Sequence, residues 1–418
     1  MNAPVSYDPS HEAWSLPLDQ IDVSDPKLYQ DDTWHPFFAR LRRDDPVHWT
    51  ENSMYGAFWS VTKYRDIMAV DTNQHAFSSD SMVGGVVLAD LPPDFRRPSF
   101  ITMDPPKHDE QRRVVSPIVA PMNLAKLAGT IRERADRILD ELPRNETFDW
   151  VDRVSIELTT QMLATLFDFP WEDRRKLTYW SNVATVNLRA GTEIDSHAKR
   201  DAVLQQALAY FTELFYERQR LPPKPDLISM LAHGEATRDL PSRPHEFLGN
   251  LMLLIVGGND TTRNSISGGL LALNQFPHEY RKLRENPTLV PTLVPEILRW
   301  QTPVIHMRRT ALADTEVGGK TIRRGDKVAM WYLSGNRDEE AIEQPDAFVI
   351  DRARPRQHLS FGFGIHRCVG NRLAELQLTI LWEEILKRFP VIEVVGAPTR
   401  LYSNLLRTIA TLPVRIPS

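Results

Sequence analysis

A mainly α-helical fold with a small β component, built round one long central helix, is what three observations predict for this chain. Apolar residues recur at i, i+3 and i+4 through most of its length. The stretch 245–276 is apolar enough to lie inside a core as a single helix. Strand-like runs are few and short.

Taken in chain order, residues 1 to about 30 read as an N-terminal extension to a single domain spanning 1–418. Val47–Trp49 and Phe58–Val61 are short strands. The prolines of Asp104-Pro105-Pro106 open a helix that carries His108 and Arg112 on one face, at i and i+4. Helical periodicity then covers 123–142, 153–168, 202–220, 245–276, 278–285 and 291–301. Val317–Ile322 and Lys327–Tyr332 alternate as strands, with Gly318-Gly319 and Gly325-Asp326 as turn signals. A last helix at 371–389 precedes a strand at Ala410–Ile416. The 31 prolines are scattered, and no linker divides the chain.

Composition excludes several classes of function. With 50 basic and 55 acidic residues the formal charge is −5, so nucleic-acid binding has no electrostatic support. The N-terminus lacks a basic and apolar signal segment. The longest strongly apolar run, Leu251 to Val256, is far short of the ~20 residues that span a bilayer, so no membrane anchor is expected. A single cysteine and no export signal suit a reducing, cytoplasmic setting, as in a bacterial-type soluble enzyme.

That cysteine, Cys368, lies in Phe361-Gly362-Phe363-Gly364-Ile365-His366-Arg367-Cys368-Val369-Gly370. A lone buried cysteine is ordinarily a small hydrophobe, and it cannot form a disulfide or a multi-cysteine metal site. Here three glycines bracket it, and glycine permits positive φ and close approach to a flat ligand. The helix that follows offers free N–H groups and a positive dipole end to an anionic sulfur. This is a setting for a thiolate aimed at a metal.

The long helix is also unusual. Its middle, Gly257-Gly258-Asn259-Asp260-Thr261-Thr262, gathers poor helix-interior residues. One outcome is a break, with Asp260 or Thr261 as N-cap of a second helix. The other is a locally weakened helix in which Thr261 bonds the carbonyl four residues back and a groove opens for a ligand. Asp260 is then a costly carboxylate unless paired or functional.

The ten-residue cysteine loop resembles, position by position, the haem-binding loop of the cytochrome P450 family, and Gly-Gly-x-Asp-Thr-Thr resembles that family's oxygen-activation motif. The resemblance runs from about residue 30 to the C-terminus. It implies the haem-thiolate monooxygenase fold, with haem b (iron protoporphyrin IX) bound through an axial thiolate from Cys368. Asp260 and Thr261 become the acid–alcohol pair that delivers protons during oxygen activation. His108, Arg112, Arg308 and His366 match the positions that bind the haem propionates, and Phe361 the position that packs against the sulfur. Glu296 and Arg299, at i and i+3, with Arg352 resemble the family's structural ion-pair trio, although an acid commonly stands where this chain has Val349.

Hydroxylation of an unactivated C–H bond then takes O2 and two electrons. No reductase domain is expected after Ser418, so the electrons would come from separate proteins: a ferredoxin with a two-iron, two-sulfur cluster and its reductase. Arg113, Arg367 and Arg372 would form a basic patch that steers an acidic ferredoxin to the cysteine side.

Positions matching the family's pocket include Val83, Val86, Leu254, Gly258, Val304, Ile305 and Leu405. They are mostly aliphatic, with no charge to grip a carboxylate, and predict an elongated apolar small-molecule substrate. The stretches Gly257–Ser265, Ile101–His108 and Phe363–Cys368 resemble the bacterial alkane and fatty-acid terminal hydroxylases, which implies hydroxylation of a terminal methyl on a medium-length chain. Related subfamilies acting on sterol or terpenoid side chains share the Asp-Thr-Thr-Arg-Asn stretch and give the second expectation. A peroxide-driven haem peroxygenase or a non-enzymatic haem sensor would have no use for the acid–alcohol pair. A zinc hydrolase would need clustered partners for Cys368.

Overall fold

In a computed structural model, which describes residues 11–189 and 192–418, the long apolar stretch is one unbroken helix, Pro244–Gln275. The break at Asp260 or Thr261 does not occur. Polar side chains are accommodated by bonding back along their own helix: Thr261 Oγ1 donates to the Gly257 carbonyl at 2.9 Å, Asn264 Nδ2 to that of Asp260 at 2.7 Å and Ser265 Oγ to that of Thr261 at 2.8 Å.

Round this helix pack Glu157–Phe167, Arg175–Thr185, His197–Gln219 and Val290–Gln301. Their apolar faces form the larger core, with Leu158, Phe211, Leu251, Leu270 and Ile297 fully buried in it. The helices Pro121–Asp140, Pro277–Glu285 and Asn371–Arg388 begin and end within two residues of the periodicity that predicts them. His197–Gln219 starts five residues before the expected 202.

Arg175–Thr185 has no counterpart in the expectation, and its buried face explains why. That face carries Thr178 and Ser181 beside Leu177, Trp180 and Val183, so the apolar stripe is interrupted. Both hydroxyls are matched inside the core, Thr178 with Thr160 at 2.5 Å and Ser181 with Asp260 at 2.9 Å.

A five-stranded sheet lies to one side, in the order Val47–Thr50, Phe58–Val61, Lys327–Met330, Met307–Ala311, Phe77–Ser78. Phe58–Val61 and Lys327–Met330 run parallel; the other pairs are antiparallel. The expected strand Val317–Ile322 is a hairpin of Thr315–Val317 and Lys320–Ile322, turning at Gly318-Gly319. Lys327–Tyr332 ends as a strand at Met330, and Tyr332 opens a short helix. The C-terminal run divides into Ile409–Thr411 and Pro413–Arg415.

Residues 11–30 do not hang free as an extension. Ala13, Ile21, Val23 and Tyr29 are buried in a second cluster with Trp331 and Leu333. The first ten residues lie outside the described residues. Among the described residues no single helix is long and apolar enough to cross a membrane.

The trio of Glu296, Arg299 and Arg352 is assembled and almost wholly buried. Glu296 accepts Nε and Nη2 of Arg299, each at 2.8 Å, and Nε of Arg352 at 2.9 Å. Arg299 also donates to the carbonyls of Asn336, Pro345 and Ala347. Burial pushes the Glu296 carboxyl up, but the two guanidinium groups outweigh it and hold it below its ordinary range. The backbone N–H of Val349 donates to Glu296 at 2.8 Å, so the unusual side chain there is not part of the contact. Glu296→Ala would strand two buried guanidinium groups and should cost ~3–5 kcal/mol. Urea unfolding checks this; an unchanged midpoint would mean that the trio contributes nothing net.

Candidate functional site

The cysteine loop is shaped by two left-handed glycines, Gly362 at φ 63° and Gly364 at φ 66°. At Gly364 a Cβ would lie 2.5 Å from the Asp71 carbonyl oxygen, so only glycine lets the loop pass. Gly370 is not left-handed; it caps the helix Asn371–Arg388 at φ −88°. Cys368 N–H donates to the Phe361 carbonyl at 2.8 Å, closing the loop.

Cys368 is exposed where it lines a cavity, and its sulfur is otherwise surrounded by protein. Burial pushes its thiol up; the Gly370 N–H and the guanidinium groups of Arg112 and Arg367 draw it back.

Asp71, itself buried, braces this loop. Its Oδ2 accepts the Phe363 N–H at 2.8 Å and the Tyr332 hydroxyl at 2.9 Å, and its Oδ1 accepts Arg309 Nη2 at 2.7 Å.

The cavity, about 480 Å³, lies between the cysteine loop and the long helix. Gly257, Gly258, Thr261 and Thr262 line its helix side; Phe361, Cys368, Val369 and Gly370 line the opposite side. A Cβ at Gly257 would project into open space with no heavy atom within 4 Å, so the helix presents bare backbone across from the sulfur. A flat ligand fits such a slot.

At one edge, four nitrogen-bearing side chains converge. The rings of His108 and His366 meet edge-on with centroids 4.5 Å apart. His108 Nε2 and His366 Nδ1 are buried without a hydrogen-bond partner. Arg112 and Arg309 line the cavity beside them. His366 is neutral, its pKa brought down to about 2 by burial first and then by Arg309, His108 and Arg112. Two orphaned ring nitrogens and two guanidinium groups suit the two carboxylates of haem b, and the chain's only thiol faces the same cavity. The residues present fit that group. Among the described residues no cluster of three His, Cys, Asp or Glu side chains could hold a metal ion.

The cytochrome P450 family model matches residues 28–413. The chain belongs to the cytochrome P450 family. Linalool 8-monooxygenase of Pseudomonas putida is 37% identical over 405 residues, covering 95% of this chain and 99% of its own. The structure of cytochrome P450-153 from Novosphingobium aromaticivorans superposes with a TM-score of 0.88 at 44% identity, covering 94% of this chain and 99% of that one. CYP153D17 from Sphingomonas sp. PAMC 26605 gives a TM-score of 0.90 at 47% identity, covering 96% and 100%. This P450 is a monooxygenase whose cofactor is haem b, bound through the Cys368 thiolate.

Against that family's pattern, the structure corrects four expected positions. Arg308 does not reach the cavity. Successive side chains of Met307–Ala311 point to opposite sides of the sheet, so Met307 and Arg309 line the cavity while Arg308 turns away to bond Asp90 at 2.6 Å. Arg309 takes the place expected of Arg308. Val83 is 42% exposed at the surface, and Val86 is buried with its carbonyl on the Arg308 N–H; their neighbour Val87 lines the cavity instead. Ile305 packs into the second core beside Trp331, on the side opposite Val304. Leu254, Gly258, Val304 and Leu405 do line the cavity.

Thr261 lines the cavity, whereas Asp260 points away from it. The carboxylate is fully buried against Arg175–Thr185, with Ser181 Oγ on Oδ2 and Arg263 Nη2 on Oδ1 at 2.7 Å. Burial raises its pKa, with Arg263, Ser181, Thr185 and Asn259 opposing.

The expectation of a cavity without charge also fails at its far end, where Arg97, His197, Arg200 and Asp201 join the lining. No motif marks them; they come together only when His197–Gln219 folds over the long helix. Residues 190 and 191 lie outside the described residues.

Gly257→Leu should leave a folded chain, since nothing contests the added side chain, yet abolish haem uptake. The haem-to-protein ratio alongside far-ultraviolet circular dichroism checks this; full haem content would remove the slot from between the helix and Cys368.

Proposed function

We propose that this P450 hydroxylates the terminal methyl of a medium-chain alkane or fatty acid, taking electrons from a separate two-iron ferredoxin and its reductase. The carrying observation is the form of the cavity. It follows the long helix from Gly249 to Ser265, about 24 Å at about 1.5 Å per residue, and near Thr261 its walls are the aliphatic side chains of Leu163, Leu254, Val304 and Leu405. A Cβ at Gly258 would lie 2.7 Å from Leu163 Cδ2, so the long helix and Leu163 close on each other one turn before Thr261. A long cavity with aliphatic residues in its lining favours a chain entering end-on.

The haem, when bound, supplies the redox chemistry of dioxygen, with electron density from the thiolate favouring O–O cleavage. The chain's own groups do the rest. Arg112, Arg309, His108 and His366 hold the propionates, and Phe361 shields the Cys368 sulfur from water. Thr261 presents its hydroxyl to the cavity, and Asp260, released from Ser181 and Arg263, carries protons inward from the solvent side. One C–H bond becomes C–OH; the second oxygen atom leaves as water with two protons and two electrons. Arg113, Arg367 and Arg372 are exposed on the cysteine side and suit an acidic electron donor.

Purified enzyme, first checked by its reduced carbon monoxide spectrum for thiolate-bound haem, should convert dodecane and dodecanoate with ferredoxin and reductase to terminally hydroxylated products. In-chain products alone, or none, would overturn the assignment. A second reading, a sterol or terpenoid side chain, is favoured by the relative that acts on linalool; preferential turnover of such a substrate would establish it. Thr261→Ala should lower product formed per electron about ten-fold or more and raise peroxide release. Unchanged coupling would exclude Thr261 from proton delivery.

A further inference from the structure

The cavity's far end carries charge that an alkane could not use. Arg200 and Leu204 stand one turn apart on the same face of His197–Gln219, and both line the cavity. The cavity lining also includes the apolar Leu91, Phe95 and Leu253. Of the two arginines there, Arg97 already has a carboxylate partner in Asp201 and also donates to the Asp94 and Arg96 carbonyls. Arg200 has no acidic partner among the described residues. Its Nη2 reaches the Val186 carbonyl, and its Nε is buried with no hydrogen bond. Burial pulls the Arg200 guanidinium below its usual range, with no carboxylate offsetting it. His197 stacks on Phe95 with centroids 5.1 Å apart and completes the rim.

The distance from this cation to the reacting end follows from the long helix. The backbone of Arg97 abuts Gly249, where a Cβ would lie 2.6 Å from the Arg97 carbonyl oxygen. Gly249 and Thr261 are about 18 Å apart along the axis, at about 1.5 Å per residue. Arg97 pairs with Asp201, the residue after Arg200, so the unpaired guanidinium belongs to that same end. The separation is comparable with the span of an extended medium-length acyl chain.

We propose that Arg200 anchors the carboxylate of a chain-shaped substrate, so that a medium-chain fatty acid is held head-out with its methyl end at Thr261. The inference rests on the reading of the enzyme as a terminal hydroxylase and narrows its substrate class to carboxylate-bearing chains. A guanidinium lacking a counter-ion in a low-dielectric wall binds a carboxylate through charge-assisted hydrogen bonds. A methyl terminus gains nothing there. Selectivity of the acid over the alkane would therefore reside in Arg200, and the site of oxidation in the aliphatic walls near Thr261.

The test is equilibrium binding of dodecanoate, methyl dodecanoate and dodecane to the haem-loaded enzyme, followed by the haem absorbance shift and by calorimetry. Arg200→Gln should weaken dodecanoate about ten- to a hundred-fold while leaving methyl dodecanoate and dodecane within two-fold. Arg200→Lys should restore most of the loss. Dodecanoate binding that is no tighter than dodecane, or that Arg200→Gln leaves unchanged or weakens equally for all three ligands, overturns the anchor. Product analysis separates the two claims. Arg200-dependent binding with oxidation in mid-chain would sink terminal hydroxylation and keep the anchor; terminal products with Arg200-independent binding would do the reverse.

Discussion

Asp71 receives donors from three segments far apart in the chain: Arg309 on a sheet strand, Tyr332 at the start of a short helix, and the backbone of Phe363 in the cysteine loop. Its own carbonyl fills the space that a side chain at Gly364 would need. Each contact is ordinary for a buried carboxylate, which must be fully bonded. Together they set the height of the loop against the sheet and hence where Cys368 faces the long helix. They also orient Arg309 toward the cavity edge. The thiol and one cation beside the cavity, Arg309, are thus positioned through one group that does not line the cavity.

The opposite wall solves a different problem. A helix that must be buried over its length also has to carry an acid, an alcohol and bare backbone at its midpoint. It remains continuous because Thr261, Asn264 and Ser265 bond back to carbonyls of their own ladder. Asp260 is accommodated by Arg263 on its own helix and by Ser181, a donor on the neighbouring helix. The polar face of Arg175–Thr185, which makes that segment a poor amphipathic helix, is the complement of the buried acid.

What is legible in the sequence follows from how local each signal is. Cys368, Gly364 and the Gly257–Thr262 cluster can be found because their chemistry is written in consecutive residues. The long helices are legible from periodicity. Arg308 and Arg309 are not distinguishable in this way, since both are buried and the choice depends on the phase of a strand flanked by no clear alternation. The same one-residue ambiguity separates Val86 from Val87 and Val304 from Ile305. Arg200 is invisible for another reason. On its own helix it is one cation among several, and it acquires meaning only in a cavity whose lining also draws on Leu253 and Phe95 from distant parts of the chain.

Thr261 has one hydroxyl proton, and it lies on the Gly257 carbonyl. What the side chain turns toward the cavity is therefore a pair of acceptor sites. At rest it can receive a hydrogen bond but not give one. Donation by this residue has a built-in condition: the hydroxyl becomes a donor only when it lets go of the helix backbone. The glycine carbonyl thereby acts as a latch, keeping the threonine silent until a group in the cavity competes for its proton.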